Sequence, residues 1–84
     1  MPHFKKRFKT DFGNPQFVFD RIFTVNGVHY HVSVIDDKGR SHFFNMQVKK
    51  DKWVIIDAPK VSDWIMALQI ELSKAIIDHK PFVY

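Results

Sequence analysis

Residues 17–48 read FVFDRIFTVNGVHYHVSVIDDKGRSHFFNMQV, and the fold turns on how this stretch is punctuated. Asn26-Gly27 divides it first. An Asn-Gly pair between apolar runs is the strongest short hairpin signal, because a two-residue type I′ turn needs positive φ at both positions. Asp36-Asp37-Lys38-Gly39 divides it again and suits a type I turn closed by a glycine bulge. The strand-like runs are therefore Phe17 to Val25, Val28 to Ile35 and Ser41 to Val48. A polar turn, Lys49-Lys50-Asp51-Lys52, leads into a fourth, Trp53 to Asp57.

These turns set a register that the hydrophobic pattern can test. Across Asn26-Gly27 the expected pairs are Val25 with Val28, Phe23 with Tyr30 and Phe19 with Val34. Across the Gly39 turn they are Val34 with His42, Val32 with Phe44, Tyr30 with Met46 and Val28 with Val48. Across the third turn, taken as two residues, Val48 meets Trp53 and Met46 meets Ile55. Three turns read from local chemistry thus agree on one apolar face. Arg21 and His42 are the exceptions on it and are expected at its rim, Arg21 from an edge strand. The other face receives Val18, Ile22, Thr24, His29, His31, Ser33, Ile35, Phe43, Asn45, Gln47, Val54 and Ile56, with Ile22, His31, Asn45 and Ile56 in one row. A half-polar face of this kind suits a binding surface or a sheet-on-sheet contact.

A helix is predicted after Pro59, capped by Ser62 or Asp63 and stopped by Pro81. Trp64, Ile65, Leu68, Leu72, Ala75 and Ile76 form one stripe at 3.6 spacing and should cover the apolar sheet face. The expected fold is α+β: a four-stranded antiparallel meander in the order 1-2-3-4, with one C-terminal helix packed on one face. Met66, Ile70 and Ile77, with Ser73 between them, lie opposite that stripe. A helix apolar on both sides wants cover on both. The candidates are a second copy, giving a homodimer, or the chain's own ends, meaning Phe4, Phe8 and Phe12 or Phe82, Val83 and Tyr84.

Residues 1–14 read as a basic, aromatic arm and residues 15–84 as a single domain. The net charge of +4 is accounted for by residues 1–10, where Lys5, Lys6, Arg7 and Lys9 stand without an acid. A basic arm beside a balanced body binds phosphate or anionic lipid non-specifically, or is a solvated leader. Phe4, Phe8 and Phe12 recur every four residues and would share one side of a helical turn.

The chain has 84 residues and no cysteine, so one small core is expected without a disulfide, a thiolate zinc site or a cysteine nucleophile. The absence of a long apolar run and of a secretory h-region leads to the expectation of a cytoplasmic protein with no membrane segment.

Chemistry is thinly represented. His29 and His31 project from one face at a spacing that can share a metal, with Asp20 near, but a third ligand is wanting. Asp20, Ser33 and His31 have the residue types of a hydrolytic triad without an oxyanion hole or nucleophile elbow. The glycines are isolated at turns, so no phosphate-cradling loop is formed, and Asp36-Asp37 falls short of a calcium loop. No catalytic residue, metal or cofactor is expected.

In element order alone, over Phe17 to His79, four strands followed by a helix resemble the coactivator and Whirly class of single-stranded DNA binders. The resemblance implies helices that mediate association and strands that meet nucleic acid. The second face departs from that class, since it carries one aromatic, Phe43, and almost no Lys or Arg. The reading is a small non-catalytic interaction module that self-associates through Met66, Ile70 and Ile77. The alternative is a single-stranded nucleic-acid binder using Lys5, Lys6, Arg7 and Lys9 with His29, His31, Phe43 and Asn45.

Overall fold

A computed structural model describes residues 3–56 and 60–79. Its strands are β1 (His3–Arg7), β2 (Gln16–Thr24), β3 (Gly27–Ile35), β4 (Ser41–Lys49) and β5 (Lys52–Ile55), followed by helices α1 (Asp63–Met66) and α2 (Gln69–Asp78). All neighbouring strands are antiparallel, and the sheet order is β1-β2-β3-β4-β5. Pro59 and the segment Pro81 to Tyr84, assigned above to the helix boundaries and to a covering tail, lie outside the described residues.

The expected four strands become five, because the basic arm is itself a strand. Phe4 pairs with Phe19 and stacks on it with ring centroids 4.4 Å apart. Phe8, just beyond β1, is buried and meets Phe17 edge-on at 5.3 Å. Phe12 meets Trp64 edge-on at 4.9 Å. A spacing of four fits a helical turn, but it is also an even number, so a strand puts Phe4 and Phe8 on one side equally well. The extended form wins because it pairs backbone groups with β2 while covering Phe17 and Phe19, each burial contributing about 1.5–3 kcal/mol. The arm therefore docks on its own sheet, and β2 is not an edge. Arg21 lies one residue past the β1 pairing, which covers Gln16 to Asp20 of β2. It pairs with Tyr30, and its guanidinium lies 5.1 Å from the Phe23 ring centroid.

Two of the three predicted registers hold residue for residue. Tyr30 pairs with Met46, Val32 with Phe44 and Val34 with His42, and Met46 with Ile55 and Val48 with Trp53. Gly39 takes φ +78 at the β3–β4 turn, as a glycine bulge requires. The β2–β3 turn is different. Thr24 pairs with Gly27, so the loop is Val25-Asn26, and Phe19 meets Val32 rather than Val34. The Thr24 hydroxyl accepts from the Asn26 N–H at 3.2 Å and donates to the Gly27 carbonyl at 2.9 Å. That local closure takes the place of the expected type I′ turn at Asn26-Gly27. Partners shift by two residues, an even number, so every side chain keeps its predicted face. The left-handed pair occurs instead at Lys50-Asp51, with φ +51 and +68.

The core gathers Phe8, Phe17, Phe19, Tyr30, Val32, Val34, Phe44, Met46 and Ile55 from the sheet side. Ile65, Leu72, Ala75 and Ile76 meet them from the helices, with Trp64 and Leu68 partly buried against them. The predicted stripe is thus the buried side. The single predicted helix, however, is two. Ser62 precedes α1 as expected, but its backbone carbonyl accepts from Ile65 and Met66, and its side chain makes no capping bond. The helix steps at Ala67-Leu68, where Leu68 donates to the Ile65 carbonyl three residues back, a 3₁₀-type tightening.

The step rephases the chain. Met66, expected to face outward with Ile70, packs partly buried against the core, while Ile70 is 80% exposed. Ser73, also expected outward, is buried. Its hydroxyl oxygen accepts from the Trp53 N–H at 2.9 Å, and Gln69 Oε1 accepts from the Ile55 N–H at 2.9 Å. Four helical residues rise about 6 Å and two strand residues about 6.7 Å, so these pairs lie in register. α2 thereby satisfies the outer edge of β5 with side chains.

Candidate functional site

The helices cover one side of the sheet, and the strands of the other side build the site. Pairing fixes which residues meet there. Lys5 is opposite Val18 and Arg7 opposite Gln16. Val18 and Phe43 flank Ser33, and Asp20 and Asn45 flank His31. His3 extends that second row from Asp20. Ile22, His29, Gln47 and Val54 form the next row, and Lys49 meets Lys52 at the far end. Strand alternation puts all of these on one face.

This placement corrects the reading that the second face has almost no Lys or Arg. Among the described residues its strands carry Lys5, Arg7, Lys49 and Lys52 against the single carboxylate of Asp20. The basic groups occupy diagonally opposite corners. Phe43, 64% exposed, lies between them. Its ring stacks on His31 with centroids 5.9 Å apart and planes at 15°. His31 Nδ1–H donates to Asn45 Oδ1 at 3.1 Å, which fixes the ring's orientation. Three strand spacings separate Lys5 from Phe43, roughly 14 Å. The arrangement offers a flat aromatic platform with cations within reach of a polymer's backbone.

Of the arm residues proposed from sequence, Lys5 and Arg7 join this face. Lys6 pairs with Phe17 on the helix-covered side, its Nζ 5.8 Å from the Phe8 ring. Lys9 follows the strand and is exposed. The alternation His3, Lys5, Arg7 against Phe4, Lys6, Phe8 was the signal for this split, and it is visible only when the arm is read as extended. Gln16 and Ser41 were not picked out from the sequence, because their membership of the site follows from pairing and not from residue type.

His29 lies between Ile22 and Gln47, its Nε2 shut off from solvent and without a hydrogen-bond partner. Asp20 is directly opposite His31 and not opposite Ser33, which pairs with Val18 and Phe43. The carboxylate expected near the two histidines is thus the direct cross-strand partner of one of them. Among the described residues no group of three or more His, Cys, Asp and Glu is placed to hold a metal ion.

At the β5 edge of the sheet, Ile70 and the half-exposed Ile77 line an apolar groove of about 280 Å³ with Lys52, Trp53, Val54, Ser73 and Lys74. The proposed self-association ridge is thus reduced to two isoleucines.

Among the described residues no helix is long and apolar enough to cross a membrane. Comparison with protein-family models, with curated proteins and with solved structures gives no match to this chain. The fifth strand also alters the element order on which the resemblance to the coactivator and Whirly class rests.

Proposed function

We propose that this chain is a small non-catalytic interaction module whose open sheet face binds single-stranded nucleic acid. The observation that supports the reading is the pairing of β1, which sets Lys5 and Arg7 on the same face as Phe43, His31 and Asn45. Stacking on an aromatic side chain is worth about 1–3 kcal/mol per base and tolerates any base. Lysines and arginines beside the platform displace counterions from the phosphates.

Fluorescence anisotropy with a labelled single-stranded oligonucleotide tests the reading at two or more salt concentrations. Binding should weaken with salt with a log–log slope of roughly −1.5 to −3, corresponding to two to four phosphates at about −0.7 each. Phe43→Ala and the pair Lys5→Glu with Arg7→Glu should each weaken it at least fivefold. Absence of binding at low salt overturns the proposal. A concentration-dependent dimer that Phe43→Ala dissolves, without nucleic-acid affinity, would assign the face to sheet-on-sheet pairing instead.

A second reading, self-association through the helix, is favoured by one observation. Ile70 and Ile77 are seven residues apart, two helical turns, beside an apolar groove. An antiparallel second copy would set each Ile70 against the partner helix's equivalent of Ile77. Light scattering of wild type and Ile70→Glu decides it, and a monomeric wild type at high concentration removes it.

A further inference from the structure

The helix-covered side of the sheet runs on past the core at one end. Tyr30 and Met46 are buried in the core. Two residues further along the same side, strand alternation places Val28 and Val48, with Phe23 paired to Val28. Phe23 is 59% exposed and Val48 about half exposed. Val25, in the loop after Thr24, is fully exposed. His29 pairs with Gln47, and they stand two residues from Gly27 and Lys49 respectively. The β2–β3 loop and the β4–β5 turn therefore share one end of the sheet, and their apolar residues are neighbours. The rim of this patch is basic. Residues 21–28 and 48–53 contain Arg21, Lys49, Lys50 and Lys52 against the single acid Asp51.

We infer that this end of the sheet docks on an anionic lipid surface, with Val25 and Phe23 below the headgroups and Lys49, Lys50 and Lys52 among them. Single exposed apolar residues need no explanation, but a contiguous patch rimmed by charge marks an interaction surface. A second copy fits it poorly, because two such rims would set like charges together. A protein partner fits it little better, since lysine is depleted in protein interfaces. An anionic bilayer accepts both features. Apolar side chains enter the boundary between headgroups and acyl chains, and ammonium groups stay with the headgroup phosphates and carboxylates. Contact with one leaflet requires no membrane-spanning helix. The surface shares only Lys49 and Lys52 with the open face, and the inference does not rest on the nucleic-acid reading.

The test is co-sedimentation with vesicles of phosphatidylcholine alone and of phosphatidylcholine with a quarter phosphatidylserine. Wild type should bind the mixed vesicles at least tenfold more tightly, since each Lys or Arg near an anionic leaflet contributes roughly fivefold. Lys50→Gln should lose about fivefold on the mixed vesicles. Phe23→Ser with Val25→Ser keeps every charge and should lose at least tenfold, because two apolar side chains no longer leave water. Val25→Ser alone sits at a fully exposed position, so it should keep the wild-type urea midpoint and still lose about fivefold. Failure of wild type to bind the mixed vesicles overturns the inference. Binding that survives the double serine variant would be adsorption by charge alone and overturns the insertion. A concentration-dependent dimer that Val25→Ser dissolves, without vesicle binding, gives the patch to a second copy and overturns the lipid surface.

Discussion

Asp36 organises the β3–β4 turn with one carboxylate. Its Oδ1 accepts from the backbone N–H groups of Lys38 and Arg40, both at 2.9 Å, and its Oδ2 takes His42 Nε2 at 2.9 Å. Arg40 Nε stands 3.4 Å away. The bond from His42 first, and the Arg40 N–H next, hold this carboxyl well below the ordinary carboxylate range, against a smaller opposing effect of burial. The folded protein therefore binds this proton less readily than the unfolded chain. Its stabilising contribution is complete above the unfolded carboxylate value of about 3.9 and is lost as the pH falls through the folded value. Asp36→Asn keeps an acceptor for the two backbone groups and removes the charge. The variant should be the less stable protein at neutral pH, and the gap should close on acidification. Urea unfolding of both proteins between about pH 6 and pH 2 measures it; a gap that stays constant would show that the charge contributes nothing. Sequence reading found Asp36 as a turn residue, since Asp-Asp-Lys-Gly is local chemistry. It did not find the hydrogen bond from His42, which depends on that residue returning across the turn at the right height.

The joint between α2 and β5 solves a problem common to open sheets: an edge strand displays unpaired backbone groups that invite another chain. Gln69 and Ser73 answer the N–H groups of Ile55 and Trp53. Removing either acceptor leaves a partly buried donor unpaired, at a cost of about 1–3 kcal/mol. Gln69→Ala and Ser73→Ala should each lower the urea midpoint and speed amide hydrogen exchange at Ile55 and Trp53 respectively. The double variant should also associate at high concentration as the edge opens. Exchange at these two amides no faster than in wild type would show that the side chains do not guard the edge. The apolar stripe from Trp64 to Ile76 was legible because burial of apolar groups leaves a 3.6-residue period. The step at Ala67-Leu68 was not, since neither Gly nor Pro marks it. Ser73 was read as outward, and Gln69 was not singled out, because periodicity scores apolar burial and is blind to a polar side chain that serves a neighbouring backbone.

Across the whole molecule the sheet divides its labour. One face is closed by α1 and α2 together with Phe4, Phe8 and Phe12, and the other carries no helix among the described residues. That division was legible from the sequence even where a turn was misplaced, because the faces depend only on parity and the β2–β3 shift was even. The share of the first strand was not legible, since a cluster of lysines beside phenylalanines at a spacing of four satisfies tail, helix and strand alike. The strand assignment has a consequence that a solvated tail would not have. Deleting residues 1–9 removes Phe4 and Phe8 and bares Phe17 and Phe19, which are fully buried. Loss of a buried phenylalanine side chain costs about 3–5 kcal/mol. The total stability of a chain this size is roughly 4–13 kcal/mol at about 0.05–0.15 per residue. The truncated chain should therefore be largely unfolded or aggregated by circular dichroism and urea titration. In contrast, Lys5→Glu with Arg7→Glu changes exposed side chains and should hold stability to within about 0.5 kcal/mol per site. A truncated chain that melts like wild type would make residues 1–9 an appendage. Lys5 and Arg7 would then have no fixed place beside Phe43, and the open face would lose the charge that suits it to a phosphate backbone.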